Sequence, residues 1–160
     1  MNQLKPLFWK KSNLFSKLLF PLSLLYKFFL FLSRSRTIEE KFDIPIICVG
    51  NIYLGVTGKT PLALKIYNEL LKKNLKPGII KKFYKEHLDE QNLIRSKNVK
   101  LFLNKSRKNS IIEAINKKIN VVIMDDGFQD FSIKKNLHII CFNSEQLVGN
   151  GLLLPAGPLR

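Results

Sequence analysis

Residues Ile44 to Pro61 read I-P-I-I-C-V-G-N-I-Y-L-G-V-T-G-K-T-P. The run Ile44 to Val49 has the length and β-branched content of a buried strand, and it empties into a glycine-spaced loop ending Gly58-Lys59-Thr60. Leu62, Ile66 and Leu70 then recur at helical spacing, which predicts a helix over Lys59 to Lys73. A strand, a glycine loop and a helix in that order build a polyphosphate cradle. Gly55 and Gly58 can take positive φ and carry no Cβ, so successive N–H groups can face phosphate oxygens where the next helix presents its positive end. Val56 and Thr57 complete the loop. Lys59 would reach the β and γ phosphates of a nucleotide, and the Thr60 hydroxyl would bind Mg2+. The glycine usual five positions before Gly58 is Tyr53 here. The strand in front and the helix behind therefore carry the reading over that of a ligand-free turn.

A second junction supports it. Val121-Val122-Ile123-Met124 runs into Asp125-Asp126, as expected of a strand whose carboxylate holds magnesium directly or through water. Adjacent acids on a strand point to opposite faces, so both reach one metal only if the strand ends between them, a turn that Gly127 would permit. Further strand-like runs fall at Gly78 to Phe83, Val99 to Asn104 and Leu137 to Phe142, with helical patterns near Asp89 to Ser96 and over Ser110 to Lys118. Short apolar runs separated by amphipathic helices predict an α/β protein with a largely parallel, doubly wound sheet, whose ligands sit at the carboxyl ends of the strands.

The first 38 residues form a region of different character, leaving residues 39–160 for the nucleotide domain. They contain no acid and seven bases: Lys5, Lys10, Lys11, Lys17, Lys27, Arg34 and Arg36. Leu18 to Leu32 is almost wholly Leu, Phe and Tyr. As a helix it would be about 22 Å long, short of the ~30 Å hydrocarbon layer. Ser16, Ser23, Lys27 and Arg34 recur at spacings of seven and four, a narrow polar stripe opposite a broad apolar face. That pattern predicts an interfacial amphipathic helix, with Trp9 and Tyr26 as anchors, followed by a linker over Ser33 to Asp43. A secretory signal would need a small-residue cleavage site, and Ser33-Arg34-Ser35-Arg36 is not one.

A net charge of +15, from 27 basic against 12 acidic residues, favours an anionic partner: nucleic acid, anionic lipid or a phosphorylated substrate. The aromatics cluster in the N-terminal helix instead of interleaving with bases on a strand platform, so no nucleic-acid partner is expected. Cys48 and Cys141 sit in apolar runs without CxxC spacing and read as core residues of a reducing compartment.

Three separated segments resemble the tetraacyldisaccharide 4′-kinase family: Ile44 to Pro61, Met124-Asp125-Asp126-Gly127-Phe128-Gln129, and Gly149-Asn150-Gly151-Leu152-Leu153-Leu154-Pro155-Ala156-Gly157-Pro158-Leu159-Arg160. Phe8-Trp9 and Pro21 to Tyr26 resemble its membrane-proximal opening. The resemblance implies a P-loop NTPase-like fold and transfer of the ATP γ-phosphoryl group to the 4′-hydroxyl of tetraacyldisaccharide 1-phosphate. It places this lipid A step at the cytoplasmic face of the bacterial inner membrane, so the expected partners are that lipid precursor and the membrane surface. It makes Asp89 the candidate base, because His87-Leu88-Asp89-Glu90-Gln91 stands where the family has Gly-Asp-Glu-Pro. Lys59 and Asp126 join Asp89 as catalytic, Asp125 and Asp126 become the magnesium-side acids, and Glu90, Gln129 and Asn150 become substrate contacts. Val56 stands where the family loop has a glycine, Lys81-Lys82-Phe83-Tyr84 where it has Ser-Arg-Gly-Tyr, and Asp130 where it has histidine. The resemblance also implies a second lobe beyond Arg160, making this chain the N-terminal part of a longer product. Two alternatives lie outside that reaction. A GTPase-like switch predicts Asn-Lys-x-Asp, and Asn104-Lys105-Ser106-Arg107 lacks the acid; a non-catalytic membrane-associated nucleotide binder predicts no second lobe.

Overall fold

The computed structural model describes residues 6–53, 57–84, 94, 96–144 and 147–160. They divide into two compact units. One comprises Glu39–Gly50 and Gly58–Cys141, and it contains the sheet. Its strands are β1 (Ile46–Gly50), β2 (Pro77–Lys82), β3 (Leu101–Asn104), β4 (Val121–Asp125) and β5 (Leu137–Ile140). They lie in the order β3-β2-β4-β1-β5, and every neighbouring pair is parallel. The fold expected from the apolar runs is the one observed.

Side chains alternate between the faces of these strands. Ile46, Cys48, Ile80, Val122 and Met124 form one core with Phe102, Ile111 and Ala114. Val49, Ile79 and Ile123 form the other with Ala63, Tyr67 and Ile94. Ala63 and Tyr67 belong to α2 (Lys59–Lys72) and Ile111 and Ala114 to α3 (Arg107–Asn116), so each face carries a helix. That two-sided cover is why β4 is buried at every position and reads as an unbroken apolar run. Each fully buried isoleucine adds roughly 1.5–3 kcal/mol relative to exposure.

Helix α3 begins at Arg107 instead of the expected Ser110, because Ser106 already supplies the extended N-cap backbone. The helix expected near Asp89 to Ser96 lies outside the described residues apart from Ile94 and Ser96. From β1 the chain passes β4 to reach β2, and from β4 it passes β1 to reach β5. The connections thus leave the β1–β4 pair in opposite directions, which opens a crevice above their carboxyl ends.

The other unit comprises residues 1–38, 51–57 and 142–160. After a 3-10 turn at Leu7–Trp9, helix α1 spans Leu14–Arg36. Its 23 residues extend roughly 34 Å, so the length expected from Leu18 to Leu32 is corrected. The helix starts early because Asn13 and Ser16 form a reciprocal capping box, and it continues through the first residues of the expected linker to a C-cap at Thr37. By length and composition α1 could cross a membrane.

Helix α1 is inside out. Ser16 and Ser23 are its buried residues, while Leu18 is 76 % and Phe29 65 % exposed. The Ser23 hydroxyl donates to the Leu153 carbonyl at 2.8 Å and accepts from the Ala156 amide at 3.1 Å. The serines of the expected polar stripe therefore bind protein, and Lys27 and Arg34 are exposed. Trp9 is part-buried and its indole N–H donates to the Pro155 carbonyl at 3.3 Å. Asn150 joins this network: its amide donates to the Phe8 and Ala156 carbonyls, each at 2.8 Å, and its carbonyl accepts from Leu152 N–H at 3.1 Å.

Both cysteines are free and buried. Burial pushes the Cys48 thiol up to about 11 and raises that of Cys141.

Candidate active site

The carboxyl ends of β1 and β4 are adjacent, with Val49 opposite Asp125. Gly58 precedes α2 with φ of +73°, a left-handed conformation that a residue with a Cβ adopts at a cost, and the turn starts the helix at Lys59. This aims Lys59 and Thr60 across the strand ends. The Thr60 hydroxyl donates to Asp125 Oδ2 at 3.0 Å, and Lys59 Nζ stands 3.9 Å from Asp126 Oδ1. The structure thus brings together four of the residues expected from sequence: Lys59, Thr60, Asp125 and Asp126.

The turn that splays the two acids is made by Asp126 itself, at φ of +56°. Gly127 contributes space instead: a Cβ there would lie 2.0 Å from Met124 Sδ and 2.3 Å from Met124 Cγ. Arg107 fixes the turn from the side. Its Nη2 donates to the Asp126 carbonyl at 2.6 Å and its Nη1 pairs with Asp130 Oδ2 at 3.3 Å. Burial pushes the Asp130 carboxyl up, but the Ser132 hydroxyl and amide and the Arg107 guanidinium outweigh it and hold the group below its ordinary range. Lys135 also donates to the Asp130 carbonyl. A cleft of about 250 Å³ opens among Lys82, Lys105, Arg107, Lys108 and Asp130.

Asp125 has no solvent exposure. Its charge is met by Lys81 from β2, whose Nζ lies 2.9 Å from Oδ2 and whose side chain is 8 % exposed. Its second oxygen, Oδ1, is buried and has no hydrogen-bond partner among the described residues. An orphaned carboxylate oxygen beside a threonine hydroxyl is a donor set that suits a hard divalent cation such as magnesium.

Gly55, Val56, Asp89 and Glu90 lie outside the described residues. Thr57 is described, and its hydroxyl is buried without a partner among those residues. Gln129 is exposed, and Asn150 belongs to the other unit, engaged as given above. Sequence reasoning missed Lys81 and Arg107 as site residues. A lysine inside the strand-like run Gly78 to Phe83 was a signal, since a buried ammonium needs an acid; Arg107, in a Lys-rich stretch, gave none.

A parallel sheet that places a Gly-Lys-Thr helix start beside an aspartate-tipped neighbouring strand defines the P-loop kinase fold. The profile described as Tetraacyldisaccharide-1-P 4'-kinase matches residues 15–98 and 89–160, and the chain belongs to that family. It is 48 % identical over 158 residues to the tetraacyldisaccharide 4'-kinase of Pelagibacter ubique, covering 98 % of this chain and 50 % of the relative. With that of Rickettsia felis it shares 34 % identity over 173 residues, covering 98 % and 53 %. The crystal structure of LpxK from Aquifex aeolicus, described as in complex with ATP, superposes with a TM-score of 0.69 at 24 % identity, over 91 % of this chain and 54 % of that one. The chain spans about half the length of these relatives.

Proposed function

We propose that this chain forms the nucleotide-binding half of an enzyme that transfers the γ-phosphoryl group of ATP to the 4′-hydroxyl of tetraacyldisaccharide 1-phosphate at the cytoplasmic face of the bacterial inner membrane. The observation that carries the reading is the Thr60–Asp125 hydrogen bond, which ties the start of α2 to the acid-tipped strand in a chain of this family. Lys59 sets its ammonium against the β and γ phosphates, and the α2 N-terminus adds its own positive potential. Thr60 and Asp125, with Asp126 nearby, would hold magnesium, which would supply further positive charge against the negative charge that builds on the departing diphosphate. Asp89 accepts the proton of the sugar hydroxyl as its oxygen bonds to the γ-phosphorus and the bond from that phosphorus to the departing ADP oxygen breaks.

The acceptor is a bilayer lipid, which gives the bare face of α1 its purpose. Leu18, Leu22, Leu25 and Phe29 meet acyl chains while Lys17, Lys27 and Arg34 reach headgroup phosphates. The basic cleft at Lys82, Lys105 and Lys108 suits the acceptor's own phosphate.

The test is transfer from labelled ATP to tetraacyldisaccharide 1-phosphate in detergent micelles. It compares this chain, a chain of its relatives' length carrying the same sequence, and Lys59→Ala in the longer form. Transfer by the longer form that falls at least roughly 10³-fold in Lys59→Ala is expected. No transfer by a folded longer form, or transfer indifferent to Lys59, overturns the assignment.

A further inference from the structure

Lys81 sits in the metal-side site, where the reading above assigns it no role. Its side chain comes up from β2 between β3 and β4, is almost entirely buried, and ends 2.9 Å from the same Asp125 oxygen that Thr60 occupies. Burying a carboxylate with no solvent contact is costly unless a cation and hydrogen bonds meet it. Here both are in place on Oδ2, while Oδ1 has no hydrogen-bond partner among the described residues. The two oxygens of one carboxylate therefore have different occupants: a fixed ammonium and hydroxyl on one side, open coordinating capacity on the other.

We propose that Lys81 is a resident counter-ion of the metal-side carboxylate, balancing and aiming Asp125 before any divalent cation arrives and competing with that cation once it does. The inference rests on the nucleotide-site reading and adds to it a determinant of metal affinity. Two consequences follow from charge alone. Removing the ammonium takes a positive charge from beside an incoming cation and tightens its binding. It also leaves a buried, uncompensated carboxylate in the metal-free protein, which loses stability.

The experiment uses the full chain in nonionic detergent, with Mn2+ as the probe, titrated with and without a non-hydrolysable ATP analogue and read by the loss of the free-ion electron paramagnetic resonance signal. Lys81→Met is expected to bind Mn2+ at least roughly ten-fold more tightly than wild type. Its metal-free thermal midpoint is expected to fall and to recover when Mn2+ is added. Equal or weaker Mn2+ binding by Lys81→Met, with wild type binding normally, overturns the Lys81 assignment and leaves the site reading standing. No Mn2+ binding by either protein overturns both. Should Lys81→Met fail to fold, the paired change Lys81→Met with Asp125→Asn removes both charges and is expected to fold and melt near wild type. A double variant that is as impaired as the single one overturns the counter-ion role.

Discussion

Replacing Ser23 by alanine removes one oxygen atom from α1, and the structure sets the cost. The hydroxyl bridges two backbone groups, donating to the Leu153 carbonyl and accepting from the Ala156 amide. Ala156 is fully buried, so its N–H gains no water when the bridge goes, and an unsatisfied buried group costs about 1–3 kcal/mol. The Leu153 carbonyl is half-buried and loses about 1 kcal/mol more, while alanine's better helix propensity returns about 0.5 kcal/mol. The expected net loss is about 1.5–3.5 kcal/mol. Urea unfolding in nonionic detergent would measure it, followed by the fluorescence of Trp9, the single tryptophan, whose indole is tied to the same turn through Pro155. Ser35→Ala is the control: that hydroxyl is exposed and, among the described residues, bonds to carbonyls of its own helix, so a change within about 0.5 kcal/mol is expected. A Ser23→Ala loss no greater than that of Ser35→Ala would refute the claim that α1 is held by its polar side.

Three further outcomes are expected. Gly58→Ala meets no atom of the described residues within 4 Å, so its penalty is set by the left-handed backbone, about 1–2 kcal/mol by thermal melting, with weakened binding of a fluorescent ATP analogue. The Asp130 carboxyl is held below its ordinary 3.8 in the folded chain. The stability it adds is therefore full above that pH and lost as pH falls through the lower folded value, and Asp130→Asn should flatten the acid limb of a stability–pH curve. Phe29→Glu on the bare face of α1 should reduce cosedimentation with anionic phospholipid vesicles at least several-fold while leaving the melting of the sheet unchanged.

The centre of the sheet was legible because β1, β2 and β4 are buried on both faces. Val121 to Met124 is an unbroken apolar run closed by Asp125, and the expected bounds of that strand are those observed. The edge strand β5 was overextended to Phe142, because an exposed edge has no core to mark where pairing stops. Lys59, Thr60 and the two aspartates were legible as local patterns following strands. The ion pair of Lys81 with Asp125 was not, since it joins strands far apart in the chain through a register that only the fold supplies. The polarity of α1 was legible as a stripe, but its direction was not. A serine face next to a leucine face does not say which of them touches protein until Leu153 and Ala156 are in place.

The two thiols have a practical consequence. Cys48 is fully buried and titrates at about 11, and Cys141 is raised as well, so neither presents an accessible thiolate near neutral pH. A maleimide or nitroxide reagent should therefore find the wild-type chain almost blank. Any cysteine placed along the outward side of α1 would be the dominant reactive position without prior removal of the native pair, so the depth of that helix can be read residue by residue, by label mobility and quencher access.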